Sequence, residues 1–508
     1  MIDLTAHSAS GRGDGVVTAL LHDAAAACPD AVAVSDSTGR WTYAELATTS
    51  RAVANWLLHN GIRPGDRVLV RLGNQREFVA ALFGVLLAGG VAVPINPAMR
   101  PYLLSGVLGD AEPALVVTTA EDVPVCAEAG AGRVVVGDRL VAEALAATTE
   151  PVLPTVSPTD LALLIYTSGS TSAPKAVVCP HQRVVFAAHA IADRLGYRGT
   201  DRVLTAVPLS FDYGLYQIFL AIIAGAELVL TDATSPVRLM TTLRERRATV
   251  LPIVPSLGDM LVRLAARGEP PDHVRLFTNT GAALTAPTIA GLRSRFPEAA
   301  VVPMYGITEC KRVTVAEPDG DLRRPGSVGR PLDGTWVSIE DEDGNQVPAG
   351  AIGEIVVGGP HVMAGYWRAP ELTAGRFGTD PAAGHGILRT GDYGHLDADG
   401  HLYFDGRRDD QFKRRGTRMS TIEIETAARD ITGVTSAAVL PPTAERDVVL
   451  FVTGDLDAGK VLDGLAARLE PAKVPDVCHL LTSFPLTANG KVDKKALAVL
   501  AAGGDHDR

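Results

Sequence analysis

Along most of the chain, short runs of Val, Leu and Ile alternate with longer stretches in which apolar residues recur every three or four positions. The short runs have the length of buried strands, and the longer spacing lines one face of a helix, so the pattern predicts layered α/β structure. Asp66–Arg71, Ala114–Thr118 and Arg133–Gly137 read as strands, with a helix over Phe78–Ala88. An Ala- and Pro-rich segment, Ala142–Pro158, reads as irregular before a strand at Leu161–Tyr166. Alternation resumes with Asp201–Pro208, a helix over Leu215–Ala224, strands at Glu227–Leu230 and Val250–Val254, a helix over Ser256–Ala266 and a strand at Val301–Tyr305. From about Gly326 to Tyr403, runs such as Trp336–Ile339 and Gly353–Val357 are broken by Gly and Pro, which predicts a β-rich portion.

A chain of 508 residues, 46% of them hydrophobic, exceeds what one core usually holds and predicts two or more domains. The charged run Gly406–Gly416 reads either as a solvated face or as a junction, and the roughly 90 residues after it show their own strand and helix alternation. The 47 basic and 58 acidic residues leave a formal charge of −11, which gives nucleic acid or an anionic membrane no general attraction. No basic N-terminal segment leads into an apolar stretch, and no window approaches the roughly 20 apolar residues of a membrane span, so a cytoplasmic protein is expected. Five scattered cysteines without metal-ligand spacing read as free thiols.

Polar chemistry concentrates where the strand Leu161–Tyr166 ends. The run Tyr166-Thr-Ser-Gly-Ser-Thr-Ser-Ala-Pro-Lys175-Ala-Val177 crowds hydroxyls and small residues ahead of a lysine. Such a loop can converge backbone N–H groups, hydroxyls and a mobile charge on a phosphate. It lacks the Gly-Lys-Ser/Thr ending of the common nucleotide loop, and taken alone it also fits a Ser/Thr-rich surface turn.

Four further segments accompany it in order: Met304-Tyr-Gly-Ile-Thr-Glu309, Leu388-Arg-Thr-Gly-Asp392, Gly406-Arg-Arg-Asp409 with Lys413–Arg418, and Pro485-Leu-Thr-Ala-Asn-Gly-Lys491. Over nearly the whole chain these resemble the acyl-adenylate-forming enzymes: acyl-CoA ligases, aryl-acid ligases, luciferases and the adenylation domains of peptide synthetases. The resemblance implies a large multi-subdomain adenylate-forming core, residues 1–408, and a small mobile C-terminal α/β domain, residues 409–508. It implies ATP and Mg2+, attack of a carboxylate on the α-phosphate, and transfer of the acyl group from AMP to a thiol. Thr167, Ser168, Gly169, Ser170, Thr171 and Lys175 then resemble the phosphate clamp, although Ser172 and Ala176 stand where the family often has glycine. Tyr305 resembles the cover of the adenine, with Gly306 permitting close approach, Thr308 on phosphate and Glu309 on magnesium. Asp392 resembles the residue that grips the ribose, aided by Arg407, and Arg418 a nucleotide-side arginine. Asp409 resembles the hinge, and Lys491 the mobile catalytic lysine that serves adenylate formation. By themselves Asp392 is as good a turn former, and Lys491 a lysine on a tight turn.

Phe211, Asp212, Tyr213 and Tyr216 fall where the family lines its acyl pocket, with Asn279, Gly281, Ala282 and Gly306 on other walls. Tyrosine bulk there disfavours a long fatty chain. In amino-acid-activating relatives the aspartate matching Asp212 pairs with the substrate ammonium, while at a helix start it is equally able to cap. The Cys310-Lys311-Arg312 continuation resembles free-standing enzymes that load small amino acids, proline included, onto carrier proteins. The expected function is therefore activation of a small acid, an amino acid such as proline, and transfer to phosphopantetheine on a separate carrier protein. An acyl-CoA or aryl-CoA ligase using coenzyme A is the alternative within the class; a non-enzymatic nucleotide-binding or scaffold protein is the alternative outside it.

Overall fold

The computed structural model describes residues 15–99, 101–147, 152–167, 175–231, 236–268, 270–281, 283–407, 411–414, 417–443, 446–469, 473–487 and 491–503. The chain divides into two compact units, Met1–Val337 with Val357–Arg389 and Ser338–Val356 with Thr390–Arg508. The division falls within the strands Trp336–Glu340, Gly353–Gly359 and Gly386–Leu396.

Among the described residues the larger unit carries a nine-stranded sheet. Its order is Arg330–Pro331, Thr314–Val315, Ala300–Tyr305, Leu276–Asn279, Val250–Ile253, Arg202–Thr205, Glu227–Leu230, Val32–Ser35 and Arg40–Thr42. The run from Ala300–Tyr305 to Val32–Ser35 is parallel, and the strands outside it are antiparallel edges. A six-stranded sheet runs Val134–Val136, Leu115–Thr118, Arg67–Arg71, Val91–Pro94, Leu161–Thr167 and Lys175–Pro180, parallel except for the last pair. Parallel pairing forces crossovers, and crossovers cover both faces, which is why these strands read as unbroken apolar runs. The helix Arg76–Leu87 is such a crossover and is buried from Phe78 through Leu86. Against it packs Tyr43–His59, started by a reciprocal capping box between Thr42 and Glu45.

Two expectations change. The stretch expected to be irregular from Ala142 begins inside a helix, Gly137–Ala146, with Leu140, Val141 and Ala144 buried at helical spacing. Alanine there supports helix rather than disorder. The helix expected from Leu215 starts at Asp212, a turn earlier, with Phe211 as its N-cap residue. Asp212 therefore lies in the first turn, where the helix dipole favours a carboxylate, and no side chain caps the end.

The smaller unit has a three-stranded sheet, Val434–Leu440 antiparallel to Val449–Gly454 and the latter parallel to Val477–Leu480, among its described residues. The helices Thr421–Arg429 and Ala458–Ala466 contribute Ile424, Ala428, Val461 and Leu465 to its core. Part of the charged run forms a two-stranded ribbon, Gln411–Arg414 with Thr417–Ser420. No described helix is long and apolar enough to cross a membrane.

Candidate active site

Thr167 and Lys175 face each other across antiparallel strands, so the strands that flank the Ser/Thr-rich segment are paired right up to its ends. Ser168, Gly169, Ser170, Thr171 and Ser172 lie outside the described residues, as do Ala282 and Asp409.

The Tyr305–Glu309 motif leaves the end of strand Ala300–Tyr305 and turns back at once. Lys311 N–H donates to the Ile307 carbonyl at 2.7 Å, and Val313 N–H to the Tyr305 carbonyl at 2.9 Å. A Cβ on Gly306 would stand 2.1 Å from the Lys311 carbonyl oxygen, so no other residue fits this fold-back. Lys311 closes the turn with φ of 66°, a left-handed conformation that a long side chain adopts only when its surroundings impose it. Tyr305 is buried and Thr308 half-buried. Glu309 is buried; its Oε1 accepts from the Tyr366 hydroxyl at 2.5 Å and from Arg376 at 3.3 Å. Burial first, and then the Glu309 charge, push the Tyr366 phenol well above its ordinary pKa, so it stays a donor. Oε2 has no hydrogen-bond partner among the described residues. One available carboxylate oxygen fits magnesium, which keeps few protein ligands when phosphates supply the rest.

Asp212, expected from the sequence to line an acyl pocket, lies in a buried charge cluster. Asp212 and Arg312 are 4% and 3% exposed, and Arg312 Nη1 lies 3.5 Å from Asp212 Oδ2. The same nitrogen donates to the Lys311 carbonyl at 2.7 Å, and the guanidinium sits 4.9 Å over the Tyr213 ring. Lys311 is fully buried; its Nζ is 3.4 Å from Cys179 Sγ and 5.8 Å from the Tyr216 ring centre. No carboxylate pairs with Lys311 among the described residues. Cys179, whose thiol burial pushes up, registers the charges of Lys311, Asp212 and Glu309 together, which places them in one neighbourhood.

Other expected pocket residues have clear duties. The Tyr213 hydroxyl donates to the Thr278 carbonyl at 2.7 Å and lies 2.8 Å from Thr278 Oγ1, which fixes the helix Asp212–Ala224 to the strand Leu276–Asn279. Asn279 donates to the Ile253 carbonyl at 3.2 Å, and Gly281 turns the chain with φ of 86°. Phe211 is half-buried at the helix entrance. The Tyr216 hydroxyl and Arg312 Nε are buried with no hydrogen-bond partner among the described residues, as are Thr280 Oγ1 and Thr314 Oγ1. Buried polar atoms are rarely left so, and Tyr216 and Arg312 both adjoin the charge cluster.

In the smaller unit Asp392 is 3% exposed and lies on the strand Gly386–Leu396 rather than in a plain turn. Its N–H donates to Thr390 Oγ1, which itself donates to the Ile355 carbonyl. It is paired across the ladder with Arg407, whose side chain lies outside the described residues, as does that of Arg418. Lys491 is exposed, and its carbonyl accepts from the Thr487 N–H at 2.7 Å. Motif reading missed Tyr366, Arg376 and the burial of Lys311 and Arg312; two adjacent cations directly after a buried motif were the available signal.

The AMP-binding enzyme family pattern matches residues 21–367. The chain belongs to that family. It is a member of the acyl-adenylate-forming superfamily, whose enzymes use ATP with Mg2+. Tyrocidine synthase 3 of Brevibacillus parabrevis is 31% identical over 480 residues, 92% of this chain but 7% of that protein. The chain thus spans a small part of such relatives. Among solved structures, VinN in complex with L-aspartate is 46% identical, with TM-score 0.72, covering 78% of this chain and 99% of the other. ATP-bound MatB from Rhodopseudomonas palustris is 28% identical, with TM-score 0.85, covering 96% and 99%.

Proposed function

We propose that this protein activates an amino acid bearing a second acid group, as its acyl-adenylate, and passes the acyl group to a phosphopantetheine thiol on a separate carrier protein. The buried Asp212–Arg312–Lys311 set carries the reading. At 3.5 Å the Asp212–Arg312 pair is loose. A zwitterionic substrate can exchange it for two closer, charge-assisted contacts, ammonium to Asp212 and carboxylate to Arg312. Lys311, buried with no carboxylate partner among the described residues, supplies a further positive charge that a neutral side chain would leave unmatched. The complex of VinN with L-aspartate lends the same class of ligand to a relative. Proline, the neutral amino acid expected from the sequence, is the comparator.

In the first half-reaction the substrate carboxylate attacks the α-phosphate of ATP, and pyrophosphate leaves. Glu309, held by Tyr366 and Arg376, is oriented to hold Mg2+. Bound there, the ion would offset charge on the departing phosphates. Lys175 and the loop it ends serve the β- and γ-phosphates, Thr308 a phosphate oxygen, Tyr305 the adenine, and Asp392 with Arg407 the ribose. The exposed Lys491 bridges carboxylate and nucleotide during adenylation and withdraws for the thiol, with Asp409 as the hinge between the domains 1–408 and 409–508.

Substrate-dependent pyrophosphate–ATP exchange across aspartate-like amino acids, proline, their deaminated analogues and aryl acids tests the substrate. Exchange led by an acidic amino acid supports the reading; equal use of amino and deaminated acids ends it. Mass spectrometry of matched reactions with a phosphopantetheinylated carrier or coenzyme A tests the acceptor, and loading of coenzyme A alone makes the protein a coenzyme A ligase instead.

A further inference from the structure

A cavity of about 770 Å3 lies among Asp36, Asn74, Glu77, Thr118, Asp138 and Arg246, and none of the sequence-expected site residues lines it. One of its lining residues, Asn74, bonds to the segment that leads to Asp212. Asn74 follows the strand Arg67–Arg71 of the six-stranded sheet, and its side chain ends on the nine-stranded one. Nδ2 donates to the carbonyls of Thr205, Val207 and Thr231 at 3.2, 3.1 and 2.8 Å, and Oδ1 accepts from the Leu209 N–H at 3.0 Å. The first and third carbonyls close the neighbouring parallel strands Arg202–Thr205 and Glu227–Leu230; the other two groups belong to the segment that runs into Asp212.

That segment passes its position on with little slack. Phe211 N–H donates to the Pro208 carbonyl at 3.0 Å, and Leu215 N–H to the Phe211 carbonyl at 2.9 Å. Gly214 packs so closely that a Cβ would stand 2.2 Å from the Pro208 carbonyl oxygen. Leu209 and Pro208 are therefore rigidly linked to the first turn of the helix that bears Asp212. We propose that Asn74 is a positioning residue for substrate selection: by holding Val207 and Leu209 it sets where the Asp212 carboxylate stands for the ammonium. This rests on the amino-acid reading given above. The amide is suited to the task because it offers donors to carbonyls and an acceptor to an N–H on one short, flat group. A carboxylate would turn its oxygens against three carbonyls, and glutamine would push the group a methylene too far.

The test uses the full chain, with the best amino acid of the exchange panel and its deaminated counterpart as probes. Asn74→Ala should lower the amino-to-deaminated ratio of kcat/KM about tenfold while leaving the KM for ATP within about twofold, as loss of an oriented contact does. Asp212→Asn should lower the ratio as well, and the double variant should be no worse than Asp212→Asn alone, because both act through one carboxylate. If Asn74→Ala does not fold, Asn74→Ser, which keeps a short donor and acceptor, should give a loss in the same direction. A ratio unchanged in a folded Asn74 variant, with both acids falling equally, overturns the proposal, as do losses that multiply in the double variant. A ratio unmoved by Asp212→Asn overturns the amino-acid reading and, with it, this one.

Discussion

Arg312 is the residue whose loss separates substrate recognition from packing most cleanly. Its guanidinium is buried on Tyr213 and bonded to the Lys311 carbonyl, so Arg312→Met keeps the apolar stem while removing the charge and that hydrogen bond. Exchange with an acidic amino acid should fall at least about tenfold, while a neutral one such as proline changes less, since hydrogen bonds to charged groups contribute about 1.5–3 kcal/mol. A parallel loss on both would mean that Arg312 only holds Asp212. Lys491 calls for the opposite design, because an exposed lysine contributes little to a core. Lys491→Ala should reduce pyrophosphate exchange by orders of magnitude with the melting temperature unchanged, and a preformed adenylate should still acylate the thiol. Equal loss of both half-reactions would remove it from the adenylation step.

Elements explain why the sequence was readable in some places and opaque in others. Strands of the parallel sheets, such as Arg67–Arg71 and Leu115–Thr118, were plain because both faces are covered and the apolar run is continuous. The helix Gly137–Ala146 was hidden by alanine, which marks no face strongly. Asp392 read as a turn residue from Thr-Gly-Asp, but its strand takes Gly391 at φ of 72° without ending. Asn74 carried no legible signal, since its partners lie on a different sheet and are backbone atoms. At this scale the turn Pro208–Gly214 is the sharpest test of fit. Gly214→Ala puts a methyl against the Pro208 carbonyl and should cost about 1–3 kcal/mol as overpacking does, read as a lower melting temperature together with a raised KM for the acid.

For the molecule as a whole, two buried histidines contribute to its sensitivity to acid. His181 accepts a hydrogen bond from the Val17 N–H at 3.1 Å, and burial pushes its pKa down to about 4. His361, with neither ring nitrogen partnered among the described residues, is pushed by burial down to about 3. Both are neutral in the fold and take up a proton more readily once it opens. Their stabilising effect is complete above the ordinary histidine value of about 6.5 and is lost progressively as pH falls below it, down toward the folded values. Thermal melts from pH 7.5 to 5 should stay nearly level down to about pH 6.5 and then fall, and His361→Phe should flatten the fall; an unchanged slope would assign the acid sensitivity elsewhere. The span of the Asn74 contacts bears on attempts to retarget the protein. Leu209 and Asn74 are 135 positions apart in the chain yet share one hydrogen bond. A graft of residues 208–216 alone from a relative of different taste would arrive without its footing, and a useful transplant must carry the loop around position 74 along with it.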